Sequence, residues 1–225
     1  MLKPRFVIAF AALAVTASFA ADEAGWKPLF NGQNLDGWTQ RGGKAKYTVE
    51  NGELVGTSQP NTPNSFLCTS REFTNFILEL EFKVAPGLNS GVQIRSHAYA
   101  TNSEVQWKGK SYRVRAGTVH GLQVEIDPST RAWTGGLYEE GRRGWFNPLS
   151  NNVPAQKAFK LPEWNKFHIE AVGDSIKTTI NGVPATDYHD SMDPAGFIGL
   201  QVHGVGKQTN ELQIRFRNIR IKELP

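Results

Sequence analysis

One cysteine, two methionines and, past the first 20 residues, no apolar run long enough to span a bilayer set the outer limits of this 225-residue chain. A lone Cys68 cannot form a disulfide within the chain, so the fold has to be held by packing. Inside SFLCTS that cysteine reads as a small core residue rather than a nucleophile. No 11-residue window after the leader keeps an i, i+3, i+4, i+7 apolar stripe, which argues against a helical protein. Internal repeats and low-complexity tracts are absent too, so solenoid and linker-rich architectures are set aside. Charge of one sign is also scarce. The 25 Lys+Arg against 21 Asp+Glu give +4, and Lys3 and Arg5 lie in the first 20 residues, leaving +2 for the remainder. That balance gives no reason to expect nucleic acid or an anionic surface as the partner of the chain as a whole.

The N-terminus, MLKPRFVIAFAALAVTASFA, has a positive start, an apolar stretch from Phe6 to Val15, and Ser18-Phe19-Ala20 as a small-x-small cleavage signal. It predicts a signal peptide over residues 1–20, cleaved after Ala20, and delivery of residues 21–225 to the periplasm or the exterior as a single domain. A retained anchor is the alternative. No lipobox cysteine is present.

Alternating runs recur along the rest of the chain. Strands are expected at residues 47–50, 53–57, 65–70, 76–84, 91–97, 122–127, 135–139, 165–172, 175–180, 197–203 and 211–221. Asn51-Gly52, Gly173-Asp174 and Asn181-Gly182 supply hairpin turns, and a small hairpin is expected about Lys108-Gly109. Many short strands joined by Gly, Asn, Asp and Pro turns define an all-β fold, a two-sheet antiparallel sandwich. Arg215 and Arg217, alternating with apolar residues near the C-terminus, read as surface charges. Two irregular stretches, between His97 and His120 and from Glu140 to Pro162, the latter carrying Arg142, Arg143, Trp145 and Phe146, are candidate walls of a site.

The stretch GLQVEID, residues 121–127, carries the main chemical signal. With a period of two, Leu122, Val124 and Ile126 face a core while Gln123, Glu125 and Asp127 share the other face. Carboxylates at i and i+2 lie roughly 7 Å apart along the backbone, close enough for like-charge repulsion to raise a pKa. The same alternation in GVQIRSH leaves Gln93, Arg95 and His97 on a polar face, and in GLQVHG it leaves Gln201 and His203. If these three strands are neighbours they form a concave polar surface. Amides and ionisable groups there would meet hydroxyls, and rings such as Tyr138 and Trp145 would meet the apolar face of a pyranose, the chemistry of an oligosaccharide or glycoside site. Each residue has a plainer alternative: Arg95 as a cross-strand ion-pair partner of Glu125 or Asp127, Asp127 as a turn residue before Pro128, and His203 as a half-exposed strand residue.

Taken in order, GWKPLFNGQNLDGW (25–38), NGELVG (51–56), NSGVQIRS (89–96), GLQVEID, TGGLYE (134–139), EWNKFHIEAVGDSIKTTINGVP (163–184), GFIGLQVHG (196–204) and RFRNIRIKEL (215–224) resemble the 3-keto-disaccharide hydrolase family of exported bacterial proteins. The resemblance covers nearly all of residues 21–225. It implies a concanavalin-like (lectin-like) jelly-roll sandwich and activity on glycosides oxidised at sugar C3. On that basis Glu125 or His203 is expected as the base, with the other as acid. Arg95 and Gln123 would stabilise negative charge, and Gln93 and Gln201 would orient hydroxyls. No cofactor is required by the sequence. A divalent ion held by Glu125, Asp127 and His203 would serve in place of Arg95. Two rivals remain. One is a laminarinase-like glycosidase, for which GLQVEID lacks the second Glu after the Asp; the other is a non-catalytic carbohydrate-binding domain.

Overall fold

The computed structural model describes residues 24–225; the expected signal peptide over residues 1–20 lies outside them. The chain begins with β1 (Trp26–Pro28), β2 (Trp38–Gly42), β3 (Lys46–Glu50), β4 (Glu53–Thr57), β5 (Ser65–Thr69), β6 (Phe76–Val84) and β7 (Ser90–Ala98). It continues with β8 (Ser103–Trp107), β9 (Lys110–Val114), β10 (Val119–Ile126), β11 (Leu137–Glu140), β12 (Gly144–Asn147) and the short helix α1 (Val153–Ala158). The remaining strands are β13 (Asn165–Val172), β14 (Ser175–Ile180), β15 (Val183–His189), β16 (Phe197–Val202) and β17 (Gln213–Glu223).

They form two large antiparallel sheets, a jelly-roll sandwich. One runs β15-β14-β13-β6-β17-β4-β3 with β1 paired to β17; the other runs β12-β11-β10-β7-β16-β5-β2. The core lies between them. Phe76, Leu78, Leu80, Phe82 and Val84 of β6 face Leu122, Val124 and Ile126 of β10, Val92 and Ile94 of β7, and Leu200 and Val202 of β16 across one continuous apolar cluster. The Asn-Gly turns take left-handed backbone, with φ of 52° and 81° at Asn51-Gly52 and 50° and 80° at Asn181-Gly182. No helix among the described residues is long and apolar enough to cross a membrane.

Five elements fall outside the expected set, β1, β2, β12, β15 and α1, and most lie at sheet edges. In β2 only Trp38 is buried; β12 is half-buried throughout; β15 carries Pro184 beside a register shift at Thr178/Thr179. Edge strands of this kind have no two-sided alternation to read. The six-residue α1 is started by Asn152, whose Oδ1 accepts from the Ala155 N–H at 3.2 Å, with Pro154 in its first turn. Arg215 and Arg217 are not unpartnered surface charges: Arg215 pairs with Glu50 and Glu53, and Arg217 with Glu81.

Candidate active site

The three strands singled out by their polar faces are neighbours, in the order β10-β7-β16. Gln93 lies directly opposite both Gln123 and Gly199, and Tyr138 of β11 lies opposite Gln123 and Trp145. Gln93, Gln123, Tyr138 and Trp145 therefore share the outer face of the seven-stranded sheet, with Glu125 two residues on. That face is curled. Glu140 of β11 accepts a hydrogen bond from Gln201 Nε2 of β16 at 3.2 Å although β10 and β7 stand between them. With strands about 4.8 Å apart, a flat sheet would hold those strands about 14 Å apart, so their outer faces must converge.

A chain of hydrogen bonds crosses the floor toward Glu125. Ser96 Oγ donates to Gln93 Oε1 (2.6 Å), Gln93 Nε2 to Gln123 Oε1 (2.7 Å), and Gln123 Nε2 to Glu125 Oε2 (2.8 Å). Asn89 Nδ2 donates to Glu125 Oε1 at 2.6 Å. Along the relay each amide is oriented by the group before it, so the Gln123 donor aimed at Glu125 is fixed in advance. Glu125 is only 3% exposed. Burial pushes its carboxyl from 4.5 up to about 7, against the pull of the Asn89 and Gln123 hydrogen bonds, with the charges of Asp127 and Glu140 adding to the rise. Room for this row comes from glycine: a Cβ at Gly91 would stand 2.5 Å from the Gln123 side chain.

A second carboxylate, missed in the sequence, faces the same groove. Glu140 takes Asn64 Nδ2 at 3.3 Å and Gln201 Nε2 at 3.2 Å, and burial raises its pKa while His203 draws it down. His203 itself is exposed, past the end of β16, with Nδ1 2.8 Å from the Gly204 carbonyl. Gln201 is fully buried, and its Oε1 has no hydrogen-bond partner. A buried acceptor without a partner is costly unless a ligand supplies the donor. Trp133 and Trp145 meet edge-on at 4.9 Å, Tyr138 and Trp145 at 5.2 Å, and the Arg131 guanidinium lies 4.8 Å from the Trp133 ring, forming an aromatic rim.

Two expected members of the polar face are elsewhere. Arg95 has φ 45°, and here β7 carries one more residue than β10: His97 opposes His120 and Ile94 opposes Leu122, leaving Arg95 and Ser96 opposite Gly121 alone. This bulge reverses the alternation. Ser96 joins Gln93 on the outer face. Arg95 turns away, 1% exposed, donating to the Thr74 carbonyl (2.7 Å), the Gly173 carbonyl (2.6 Å) and Asn75 Oδ1 (3.2 Å). It neither pairs with Glu125 nor reaches the groove. His97 is likewise turned inward, its Nε2 3.5 Å from Asp193. The crowding leaves no room for side chains at Gly121 and Gly196, where a Cβ would stand 2.4 Å from Ser96 Oγ and from the Arg95 carbonyl carbon respectively.

Asp127 closes the loop after β10. Its carboxylate accepts from the Ser129 N–H and, at 3.0 Å, from Arg131 Nε, so it acts as a turn residue at the edge of the site. Glu125, Asp127 and His203 do not gather into a metal cluster; among the described residues no three His, Cys, Asp or Glu side chains do so. Cys68 is buried on the outer face beside Gly199, and burial pushes its thiol up to about 12, which suits packing rather than nucleophilic attack. Arg142 and Arg143 are not groove walls. They pair with Glu139 on the opposite face of β11, and tie it to Asp193 and Asp190.

A jelly-roll sheet curled around a buried carboxylate, a second carboxylate and a rim of tryptophan and tyrosine defines a groove protein of the lectin-like β-sandwich class. Within it, the chain belongs to the 3-keto-alpha-glucoside-1,2-lyase-like domain family, whose model matches residues 25–222. It is 25% identical to a Bacteroides thetaiotaomicron protein named 3-keto-disaccharide hydrolase, across 90% of this chain and 80% of that one. Among solved structures it is similar to a provisionally assigned glycosyl hydrolase of Parabacteroides distasonis, with TM-score 0.57 and 18% identity over 89% of this chain and 94% of the other. A Bacillus subtilis protein of unknown function with a galectin-like fold matches at TM-score 0.56 and 14% identity, over 88% and 94% of the two chains. These two likenesses establish the fold.

Proposed function

We propose that the chain is an exported carbohydrate-active enzyme that cleaves the glycosidic bond of 3-keto glycosides, with Glu125 as the base. The observation that carries this reading is a closed-in carboxylate near pH 7 held between two amide donors at the floor of the groove. A base of that pKa is substantially ionised at neutral pH and still basic enough to take a proton acidified by a neighbouring ketone. Family membership and the name of the Bacteroides relative support the choice of substrate.

In this mechanism Glu125 removes the C2 proton, and the electron pair moves toward the C3 oxygen. The amides of Gln93 and Gln123 each have a second N–H beyond the one used in the relay, and these donors take the stabilising part first given to Arg95. The C1–O bond then breaks as the enolate collapses. The departing oxygen takes a proton from Glu140, whose pKa burial shifts in the direction that favours the acid form, with His203 alongside. Water adds to the resulting C1=C2 bond, hydroxyl to C1 and the proton back to C2, giving the free 3-keto sugar. Gln201 Oε1 accepts from a sugar hydroxyl, and Tyr138 and Trp145 flank the ring. Export rests on the composition of the first 20 residues.

The test is an assay of the purified protein on a 3-keto glycoside and on its unoxidised parent, with the Glu125→Gln variant alongside. Aglycone release from the keto substrate only, lost in the variant, is the expected result. Release from neither substrate sinks the enzyme reading. Because Glu140 supplies the second carboxylate that GLQVEID lacked, release from the parent alone would mean direct hydrolysis by the Glu125 and Glu140 pair.

A further inference from the structure

β7 and β10 pair as far as Ala98 opposite Val119, where a turn of a few residues would join them. The chain instead spends 20 residues, Tyr99 to Thr118, on a ribbon of β8 and β9 that joins neither large sheet. Isolated two-stranded hairpins are marginally stable, so such a ribbon is a cost to the fold unless something binds it. Val105, Trp107 and Tyr112 share one face, with Val105 opposite Tyr112 and Trp107 opposite Lys110, and none of the three packs on the core clusters. Val105, Trp107 and Tyr112 are half-buried. Lys108, Lys110, Arg113 and Arg115 are exposed.

Those four cations face a single acid in the ribbon, Glu104, so the segment carries +3. Outside it, and outside the first 20 residues, the chain sums to −1, from +2 less +3. The net positive charge of residues 21–225 is therefore concentrated on one arm that pairs with neither large sheet. Cations placed only to keep a sheet edge from aggregating would not need a tryptophan and a tyrosine on the same element. Lys108 Nζ already sits 5.2 Å from the Trp107 ring, so the tip presents a ring and a charge together.

We propose that the β8–β9 arm is a docking element for an acidic glycan, a uronate- or sulfate-bearing chain, with Trp107 and Tyr112 stacking on sugar faces, Lys110 on the same face and Lys108 at the turn meeting its anionic groups, and Arg113 and Arg115 adding to the positive field of the arm. This rests on the sugar-binding reading of the groove, because the arm grows from β7 and β10, the strands that carry Gln93, Gln123 and Glu125. Each five-residue strand of the arm is about 17 Å long, enough to carry several sugar residues.

The experiment is titration of the full chain with polygalacturonate, with neutral dextran and with phosphatidylglycerol vesicles, followed calorimetrically at low and moderate salt. Wild type is expected to bind polygalacturonate, more weakly as salt rises, and not dextran. Lys108→Glu with Lys110→Glu should weaken that binding by about tenfold, on the scale of two exposed charge contacts. Both substitutions are at an exposed turn and leave the core untouched. Trp107→Ala should weaken it independently of salt. Glu125→Gln should bind polygalacturonate as wild type does, which keeps a failure of the arm distinct from a failure of the catalytic reading. No binding by wild type, equal binding of dextran, binding to vesicles alone, or unchanged affinity in the double charge variant would each overturn the proposal.

Discussion

Glu125→Gln should raise stability while removing turnover, and the gain should depend on pH in a defined way. In the folded protein the carboxyl is lifted from 4.5 to about 7, chiefly by burial. Below pH 4.5 both folded and unfolded chains hold the proton, and the lift costs nothing. Between 4.5 and about 7 the unfolded chain releases its proton first, so wild-type stability falls relative to a side chain that does not titrate. Above about 7 the full penalty is in place, about 3 kcal/mol at 1.36 kcal/mol per pH unit. The amide fits the site. Gln123 is fixed by the bond it receives from Gln93 and keeps donating to the new carbonyl, while Asn89 can rotate to offer its own carbonyl to the new NH2. Urea unfolding of both proteins at half-unit steps from pH 4.5 to 8.5 measures the difference directly. It should grow from near zero to about 3 kcal/mol, with its midpoint between 4.5 and 7. A difference that stays flat with pH, or shrinks as pH rises, would show that Glu125 does not carry a raised pKa and would remove the basis for its role as base.

Four further outcomes follow from the same geometry. Glu140→Gln should slow release of alcohol leaving groups by about 10² to 10⁴ while nearly sparing nitrophenolate, which needs no proton; equal slowing of both would exclude the acid role. Gly91→Ala places a Cβ 2.5 Å from Gln123, so it should push that amide off Glu125, and the acid limb of the rate–pH profile should move to higher pH. Arg95→Ala should cost about 2 to 4 kcal/mol in denaturant melts by emptying the buried space the arginine fills and removing its hydrogen bonds to Thr74, Gly173 and Asn75, with the rate–pH profile of the folded fraction unchanged. Arg142→Met leaves Glu139 and Asp193 buried with one cation fewer and should cost about 3 to 5 kcal/mol, read as a lower urea midpoint.

The two-sheet architecture was legible because most strands bury one face. The period-two pattern of Phe76 to Val84 and Leu122 to Ile126 reports that burial directly. The same logic placed Gln93, Gln123, Glu125 and Gln201 together. It failed at Arg95, because one residue in left-handed backbone resets the alternation for everything after it, and an arginine in the chain carries no mark of such a conformation. The mark lay on the neighbours: Gly121 and Gly196 stand where a bulged strand leaves no room for a Cβ. Edge strands β2, β12 and β15 escaped for the opposite reason, since a strand with one neighbour and little buried surface needs no pattern.

Glu139 and Glu140 show what separates a structural acid from a chemical one when the two are adjacent. Counting by twos from Tyr138, which faces the groove opposite Gln123, puts Glu140 on the groove face and Glu139 on the core face. Ending the strand at Glu139 hides that division. On its side of β11, Glu139 is matched by Arg142 and Arg143, so its charge is neutralised and its backbone held. On the other side, Glu140 meets only amides and an exposed histidine, burial raises its pKa, and its charge adds to the larger effect of burial in raising Glu125. The guanidinium pair thus serves the site indirectly: by fixing Glu139 it fixes the strand that aims Glu140 into the groove. A weaker anchor would let Glu140 swing toward solvent and take away the charge that adds to the burial-driven rise at Glu125. The prediction for Arg142→Met therefore has a second half: where the variant is folded, its rate–pH profile should lose the contribution of Glu140, with the acid limb shifting to lower pH as the charge beside Glu125 moves away.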